Sequence, residues 1–503
     1  EMLAFLGAIL AMHFVLKYAD TKNAIHLFTA ALLFILGYLA KSSILPFLAL
    51  YPLVLYFFTD LKPKSYIPVV AIIFVSLLLV HYIPRLFILP PAERVNSFVE
   101  NPLYFDKNIW YRLGTGFIGL LFYLRILIVP HPLLYYYGYN QIPYDNLGNI
   151  WAILSLLLYA ALLIYALRKL RGKHLLSFAI LWYLIAISMY SNILIPVVGI
   201  VGERFVFVGS LGFCIALVFF IFKLFKVDPK SLTIEFDGRA KIIVVAALIL
   251  IPYTALTITR NREWRNNFDL FRKDIPYLKN SAKANAQMAG YLMNTVYSDP
   301  GFISTGNVNQ YKKEFILDYY RQSLKIYPEQ YQTLNDLGTV YLYFDKNPDS
   351  AIVYLKKAID LKPELIPAWV NLGMSYREVQ QYDKAIECYN TILKNRPGEI
   401  RAIFALANVY NDMGDFERAV SMNEDMIRKY PDLDMPYINI GNYYIQKGDT
   451  AAAVKNWETA VTKRPTYEMA MQLNYLYKIH GDQQKAAYYY EMARQILNQQ
   501  GKK

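Results

Sequence analysis

The first half of the chain is a series of apolar blocks separated by short polar joints, and this pattern restricts the fold more than any other feature. An α-helix needs about 20 apolar residues to cross a bilayer. Six blocks approach or reach that length, and three are shorter. In chain order they are Met2–Leu16, Ala24–Leu39, Ser43–Phe58, Tyr66–Ile83, Leu113–Val129, Asn149–Leu167, Leu175–Ser191, Phe205–Phe225 and Ile242–Ile258. The pattern therefore predicts a bundle of membrane helices over residues 1–259.

Composition separates this half from the second. The 503 residues are 55% hydrophobic and carry a net charge of +13, but residues from about 260 onward are charged and rich in tyrosine. The basic balance suits anionic lipid headgroups and polyprenyl phosphates, and no nucleic-acid-binding motif accompanies it. Cys214 and Cys388 are the two cysteines, and they offer neither a disulfide framework nor zinc-ligand spacing.

Lysines and arginines in the joints predict the orientation, because cytoplasmic joints are enriched in them. Two joints are strongly basic, one from Arg168 to Lys173 and the other from Lys223 to Lys241. Both are predicted to be cytoplasmic. The joint between them, and everything after Ile258, is then predicted to lie on the opposite side of the membrane.

The earlier joints leave two interpretations open. Lys62 and Lys64 predict a cytoplasmic joint, which places residues 84–110 outside. The joint from His131 to Asn149 is also predicted outside, because the following helix ends at a basic cluster. One helix cannot connect two outer joints by a simple crossing. Either Leu113–Val129 is re-entrant, or the prediction from Lys62 and Lys64 is wrong.

Charged and aromatic residues at these joints are candidates for function. Glu203 and Arg204 stand together between two apolar blocks. Charge at a membrane boundary is costly unless it is paired or binds a polar ligand, so the pair indicates either a functional site or an interfacial ion pair that closes a loop. Arg125 lies within an apolar block and needs an anionic partner. The tyrosine cluster at 135–139 is typical of an interfacial aromatic belt, and could alternatively line a sugar site.

The second half repeats itself. Prolines stand at 328, 363, 397, 431 and 465, at intervals of 35, 34, 34 and 34 residues, and glycine, alanine and aromatic positions keep the same phase. This is the pattern of the tetratricopeptide repeat, a helix-turn-helix of 34 residues. About six repeats are predicted over residues 284–503, with the first and last degenerate, and such repeats stack into an α-solenoid with a concave groove.

Three polar residues occupy an equivalent position in the first helices of these repeats. They are Asp336, Asn371 and Asn439. If these side chains face the groove, they can bond the backbone of an extended acceptor peptide. The alternative is that they are ordinary solvated polar positions.

Several stretches together resemble the TMTC-type transmembrane O-mannosyltransferases, which are polytopic GT-C glycosyltransferases with C-terminal tetratricopeptide repeats. The stretch from Glu203 to Phe213 is similar to the family's Ala-Glu-Arg-x-x-Tyr-x-Pro-Ser-x-Gly-Phe, with Gly209 in place of the usual proline. Other resembling positions are Asn101, Pro102, Arg112, Thr115, Pro130, Arg260–Trp264 and Asn280–Lys283.

The resemblance implies an all-α chain with a GT-C-like transmembrane bundle at 1–259, a junction at 260–283 and the repeats at 284–503. It also implies transfer of a mannose-like sugar from a polyprenyl-phosphate donor to Ser or Thr of an exported protein that the repeats bind. The repeat domain is then expected in the periplasm or the lumen. The chain opens at Glu1 without an initiator methionine, which indicates a fragment or a processed chain. The general-base aspartate of the family is expected before that residue, and no metal site is predicted.

The resemblance also assigns a donor site. The residues expected to bind the donor's phosphate and sugar are Asn101, Arg112, Arg125, His131, Tyr137, Glu203 and Arg204. Arg204 is expected to hold the phosphate because a guanidinium binds it in bidentate fashion. Glu203 is expected to orient Arg204, and Arg112 or Arg125 to supply a second cation.

Two alternatives from other classes stay open. One is a non-catalytic membrane scaffold whose repeats recruit a protein partner. The other is an enzyme resembling an O-antigen ligase or polymerase, against which the Glu-Arg and Arg-Asn-x-x-Trp patterns argue.

Overall fold

A computed structural model describes residues 2–87, 96–227, 236–298 and 310–500. The predicted all-α class is confirmed, because the regular structure of these residues is helical and the one β-bridge described is the isolated pair Tyr139–Ile142. The chain divides into two compact units. The first contains Glu1–Tyr291 with Lys325–Tyr327, and the second contains Leu292–Leu324 with Pro328–Lys503. Residues 260–291, including the predicted junction, belong to the first unit.

Each predicted apolar block overlaps a helix of the first unit. The helices are α1 (Met2–Thr21), α2 (Ala24–Ala40), α3 (Phe47–Phe58), α4 (Tyr66–Phe87), α5 (Ile109–Ile128), α6 (Ile150–Leu170), α7 (Leu175–Ser188), α8 (Phe207–Leu224), α9 (Phe236–Glu263), α10 (Asn267–Asp274) and α11 (Ala282–Tyr297), whose last residues belong to the second unit. Five segments are long and apolar enough to cross a membrane, namely Met2–Thr21, Ile109–Ile128, Ile150–Leu170, Glu203–Leu224 and Ala240–Glu263. The other predicted blocks form shorter apolar helices.

Small and aromatic residues pack the first helices together. A Cβ on Gly7 of α1 would lie 2.9 Å from the Cα of Gly37 on α2, so the two backbones approach closely because both positions lack a side chain. Tyr51 is fully buried beside this crossing, and its hydroxyl donates to the carbonyl of Ala8 at 3.1 Å. The buried hydroxyl is thereby satisfied, as a polar group in an apolar environment must be.

The two joints on either side of α5 contact each other. The amide of Tyr139 donates to the carbonyl of Val99 at 3.1 Å. Near the start of α5, the Thr115 hydroxyl donates to the carbonyl of Asp145 at 3.3 Å and accepts from the amide of Asp145 at 3.2 Å. The segment after α5 therefore returns to the end at which α5 begins, and α6 starts there. The two joints therefore lie near each other, and both interpretations of Leu113–Val129 stay open.

The second unit is built from short helices that follow one another in pairs. They are α12 (Gln310–Ile326), α13 (Tyr331–Tyr343), α14 (Pro348–Leu361), α15 (Ile366–Glu378), α16 (Tyr382–Asn395), α17 (Ile400–Asp412), α18 (Phe416–Lys429), α19 (Met435–Gln446), α20 (Thr450–Lys463), α21 (Tyr467–Ile479) and α22 (Gln483–Gln500). Each repeating proline comes two residues after the end of a second helix, since a proline disfavours helical geometry in the residue before it. The sequence also predicts an interruption of the first repeat at Ser298–Gln310, and residues 299–309 of this stretch lie outside the described residues.

The repeating glycines let the paired helices approach. A Cβ on Gly373 of α15 would lie 2.6 Å from the ring of Tyr389 on α16, whose side chain is 1% exposed. An aromatic ring packed in this way has no room to move aside. The small residue at this phase of the repeat is therefore a packing requirement.

We expect Gly373→Ala to destabilise the α15–α16 pair by about 1–3 kcal/mol, the usual range for an overpacked core. Gly398→Ala is the matched control, because a Cβ there has its nearest neighbour at 4.0 Å. Hydrogen exchange of peptides from α15 and α16 measures the effect. Equal protection in the two variants would show that Gly373 is not a close-packing position.

Candidate functional site

Two carboxylates from distant parts of the chain hold the loop at residues 130–137. Glu203 accepts a hydrogen bond from the amide of Leu134 at 2.8 Å and another from the hydroxyl of Tyr137 at 2.6 Å. Asp274 accepts from the next amide, that of Tyr135, at 2.7 Å. Charge-assisted bonds of this kind are shorter and stronger than neutral ones, so they fix the loop at two successive residues.

Asp274 is in turn held by Arg260 at the end of α9. The two guanidinium Nη atoms of Arg260 donate to the two carboxylate oxygens of Asp274 at 2.7 and 2.8 Å, and Nη1 also donates to Glu263 at 2.8 Å. The side chains of Arg260 and Asp274 are 11% and 3% exposed. A desolvated pair with this bidentate geometry holds α9, α10 and the loop together.

Asn101, predicted as a donor ligand, holds a second loop. Its amide nitrogen donates to the Asn192 side chain and to the carbonyl of Val197, both at 2.8 Å, and its side-chain oxygen accepts from the amide of Leu103 at 3.0 Å. It is fully buried. The prediction for Asn101 is therefore corrected, because its polar atoms are already bonded and position residues 192–202.

The two loops and the start of α8 enclose a cavity of about 300 Å³, called here the Arg204 cavity. It brings together three of the predicted site residues, Tyr137, Glu203 and Arg204. The full lining is Glu100, Leu134, Tyr135, Tyr136, Tyr137, Val198, Gly199, Val201, Gly202, Glu203, Arg204, Phe205, Trp264 and Lys283.

Arg204 is exposed in this cavity, and its guanidinium lies 5.1 Å from the ring centroid of Phe205. In the part of the chain that the structure describes, it forms no ion pair with a carboxylate. The expectation that Glu203 orients Arg204 is corrected, because the carboxylate of Glu203 bonds Leu134 and Tyr137 instead. The guanidinium is consequently available to an anionic ligand.

The cavity also contains Lys283 and Tyr135, which were not among the residues assigned to the donor site. Lys283 bonds the carboxylate of Glu100 and lies 4.9 Å from the ring centroid of Tyr136. The hydroxyl of Tyr135 is buried with no hydrogen-bond partner among the described residues. Burial raises the pKa values of Tyr135 and Tyr137, and the nearby carboxylates of Asp274 and Glu203 respectively add to the shifts. Both hydroxyls therefore remain protonated donors at neutral pH.

The other predicted donor residues lie outside the Arg204 cavity. Arg125 is exposed, donates to the carbonyl of His131 at 3.2 Å and lies over the ring of Phe122. His131 is also exposed and lines a different cavity. Arg112 is half-buried and lines no described cavity. Lys283 lines the Arg204 cavity, whereas Arg112 and Arg125, the predicted second cations, do not. No group of three or more potential metal ligands occurs among the described residues.

The predicted groove residues of the repeats are partly engaged by their own unit. The Asn371 amide donates to the hydroxyl of Thr339 at 2.9 Å. Asn439 is 6% exposed, and its amide donates to the side-chain oxygen of Asn423 at 3.2 Å. Asn439 thus lies inside the helix packing, which corrects its assignment to an open groove wall. Asp336 is half-buried.

Comparison with known proteins supplies two findings. Family models of the tetratricopeptide repeat match residues 331–365 and 366–399, which confirms two of the predicted repeats. Among curated proteins, the protein O-mannosyl-transferase TMTC1 of Mus musculus is 26% identical over 277 residues, or 54% of this chain. The chain is similar to the TMTC-type O-mannosyltransferases.

Other curated and solved proteins are similar to parts of the chain. TMTC3 of Mus musculus is 25% identical over 179 residues, which is 35% of this chain and 17% of that protein. The chain spans 27% of the length of mouse TMTC1. A solved tetratricopeptide repeat protein from Parabacteroides merdae covers 46% of this chain and 86% of its own, with a TM-score of 0.38 and 15% identity. The solved protein MamA covers 31% and 90%, with a TM-score of 0.27 and 28% identity.

Arg260→Ala should destabilise the first unit by roughly 3–5 kcal/mol, because it leaves the buried carboxylate of Asp274 without its counter-charge. Arg262→Ala is the control on the same helix, since Arg262 is exposed and changes at such positions usually stay within about 0.5 kcal/mol. Thermal unfolding of the detergent-solubilised chain reports both. Equal melting temperatures for the two variants would contradict the assigned role of the pair.

The stability of the repeats should depend on pH through Asp336. Burial raises the pKa of its carboxyl group. The folded chain then binds more protons than the unfolded chain between the two pKa values, so stability rises as pH falls through the folded pKa. Asp336→Asn removes the buried charge and should raise the melting temperature at about pH 7 while reducing the gain on acidification to about pH 4. Asp318→Asn, at a mostly exposed side chain, is the control. An unchanged pH profile in Asp336→Asn would refute the effect.

Proposed function

We propose that this chain is part of a membrane glycosyltransferase that transfers a mannose-like sugar from a polyprenyl-phosphate donor to Ser or Thr of an acceptor protein. The observation that carries the proposal is the guanidinium of Arg204, which stands without a carboxylate partner in a cavity at the start of a membrane-length helix. The similarity to proteins named O-mannosyltransferases supports the same reaction class.

Arg204 has the chemistry that the departing phosphate requires. Negative charge grows on a polyprenyl phosphate as the bond to the sugar breaks, and a fixed cation stabilises that charge in the transition state. The planar fork of a guanidinium matches two phosphate oxygens. Lys283 lines the same cavity, and the unpartnered hydroxyl of Tyr135 can donate a further hydrogen bond.

The carboxylates of the cavity hold its walls. Glu203 accepts from Leu134 and Tyr137, and Glu100 bonds Lys283. The reaction also needs a carboxylate that takes the proton of the acceptor hydroxyl. Because both cavity carboxylates are engaged, we assign that step to neither of them.

We assign the repeats to the acceptor polypeptide, because stacked tetratricopeptide repeats present an extended concave surface. Of the three predicted groove residues, we keep Asp336 and Asn371 in this assignment. The basic joints at 168–173 and 223–241 favour a periplasmic or lumenal location for the repeats, on the side at which a lipid-linked donor would meet an exported protein.

Substitution of Arg204 tests the donor assignment. Arg204→Lys keeps the charge but loses the fork, so sugar transfer should fall at least about tenfold, or about 1.4 kcal/mol of transition-state stabilisation. Arg204→Ala should be worse, and Glu203→Gln should lie between wild type and Arg204→Ala. Arg262→Ala, outside the cavity, is the control.

Transfer is measured per folded molecule of the full-length protein, together with the melting temperature. A purely structural role for Arg204 predicts lower stability with wild-type specific activity. Wild-type specific activity in Arg204→Ala would reject the phosphate assignment. No transfer by the full-length wild-type protein with any polyprenyl-phosphate sugar would favour the scaffold alternative.

A further inference from the structure

A second cavity is lined by residues 130–133, whereas residues 134–137 of the same loop line the Arg204 cavity. This second cavity has a volume of about 380 Å³ and is called here the Arg272 cavity. Its lining combines the end of α9, α10 and the loop, namely Pro130, His131, Pro132, Leu133, Leu256, Thr259, Arg260, Glu263, Arg272, Lys273, Asp274, Pro276 and Tyr277. It shares no lining residue with the Arg204 cavity.

The charges in this cavity do not cancel. Arg260 is bonded to both Asp274 and Glu263, and these three groups together carry one negative charge. Arg272 and Lys273 are exposed and form no ion pair in the part of the chain that the structure describes. The guanidinium of Arg272 lies 5.5 Å from the ring centroid of Phe268, which orders it without neutralising it. Arg272 and Lys273 therefore give the cavity a net positive charge of one, which suits an anion.

The cavity is also continuous with an apolar surface. Leu256 lines it from α9, about one helical turn before Arg260, and is itself 36% exposed. The membrane-length part of that helix, Ala240–Glu263, has none of its apolar window buried within the structure. We therefore expect lipid chains beside α9 up to the level of the cavity. At that level, the membrane surface, cations attract the phosphate of a lipid headgroup.

We propose that the Arg272 cavity binds the phosphate of a membrane lipid, with Arg272 and Lys273 as its counter-charges and the lipid chain along α9. The site is separate from the donor site at Arg204 and does not depend on the proposed transferase activity. The phosphate has two possible sources, an anionic phospholipid headgroup and a polyprenyl phosphate.

Lipid binding to the detergent-solubilised full chain tests the proposal by native mass spectrometry. The probes are phosphatidylglycerol, a polyprenyl phosphate, inorganic phosphate and, as a lipid without net charge, phosphatidylcholine. Arg272→Gln with Lys273→Gln removes both charges while keeping most of the side-chain stems, and should weaken binding of the anionic lipid at least about tenfold. Arg272→Lys with Lys273→Arg keeps both charges and should retain binding. Arg262→Gln with Arg265→Gln removes the same charge outside the cavity and should bind like wild type.

Each outcome supports or overturns the proposed lipid site. Selective loss of phosphatidylglycerol identifies a phospholipid site, and selective loss of the polyprenyl phosphate identifies a site for that carrier. Unchanged binding in the Arg272→Gln, Lys273→Gln variant overturns the proposal. An equal loss of anionic-lipid binding in the Arg262→Gln, Arg265→Gln control also overturns the proposal. Binding of phosphatidylcholine as tight as that of the anionic lipid overturns it as well. If inorganic phosphate binds as tightly as the lipids, the lipid chain does not contribute to binding, and the proposed contact of that chain with α9 is overturned. Melting temperatures confirm that each variant is folded.

Discussion

Two carboxylates, the buried Asp274 and the half-buried Glu203, determine the position of the loop that lines both described cavities of the first unit. Removing a carboxylate from water costs several kcal/mol unless hydrogen bonds and counter-charges replace the water. Asp274 meets this requirement with Arg260 and the amide of Tyr135, and Glu203 meets it with the amide of Leu134 and the hydroxyl of Tyr137. Asp274 lies 139 residues from Tyr135 along the chain, and Glu203 lies 69 residues from Leu134. Because the bonded amides are successive, the loop has little freedom to shift, and it separates the Arg204 cavity from the Arg272 cavity.

The same bonds explain why Arg204 is free. An acid and a base adjacent in sequence are the simplest ion pair to expect, but Glu203 is already bonded to the loop. Arg204 then faces the cavity with the Phe205 ring beside its guanidinium, and no carboxylate of the described residues pairs with it. A cation held without a protein counter-charge at the start of a membrane-length helix is suited to a lipid-linked phosphate. The proposed reaction therefore follows from how the loop is fixed, and from the similarity to O-mannosyltransferases.

Periodic features could be predicted from the sequence, and contacts between distant segments could not. The repeats were predictable because Gly373 and its equivalents recur in phase with the prolines, and the membrane helices because their apolar blocks are local. Lys283 was missed as a cavity residue because it meets Glu100 across 183 residues, and that meeting depends on the tertiary fold. Arg125 and His131 were placed with Arg204 only by resemblance. Asn439 was assigned to the groove because a polar residue on a helix does not reveal which face is buried, and its amide is bonded to Asn423.

The most direct test of the central claim is a cryo-electron microscopy structure of the full-length protein with a non-transferable analogue of a polyprenyl-phosphate sugar. The account predicts density for the phosphate in the Arg204 cavity, with the guanidinium of Arg204 within about 3 Å of two phosphate oxygens and the loop still bonded to Glu203 and Asp274. A phosphate bound beside Arg112 or Arg125, with Arg204 turned away from it, would contradict the account.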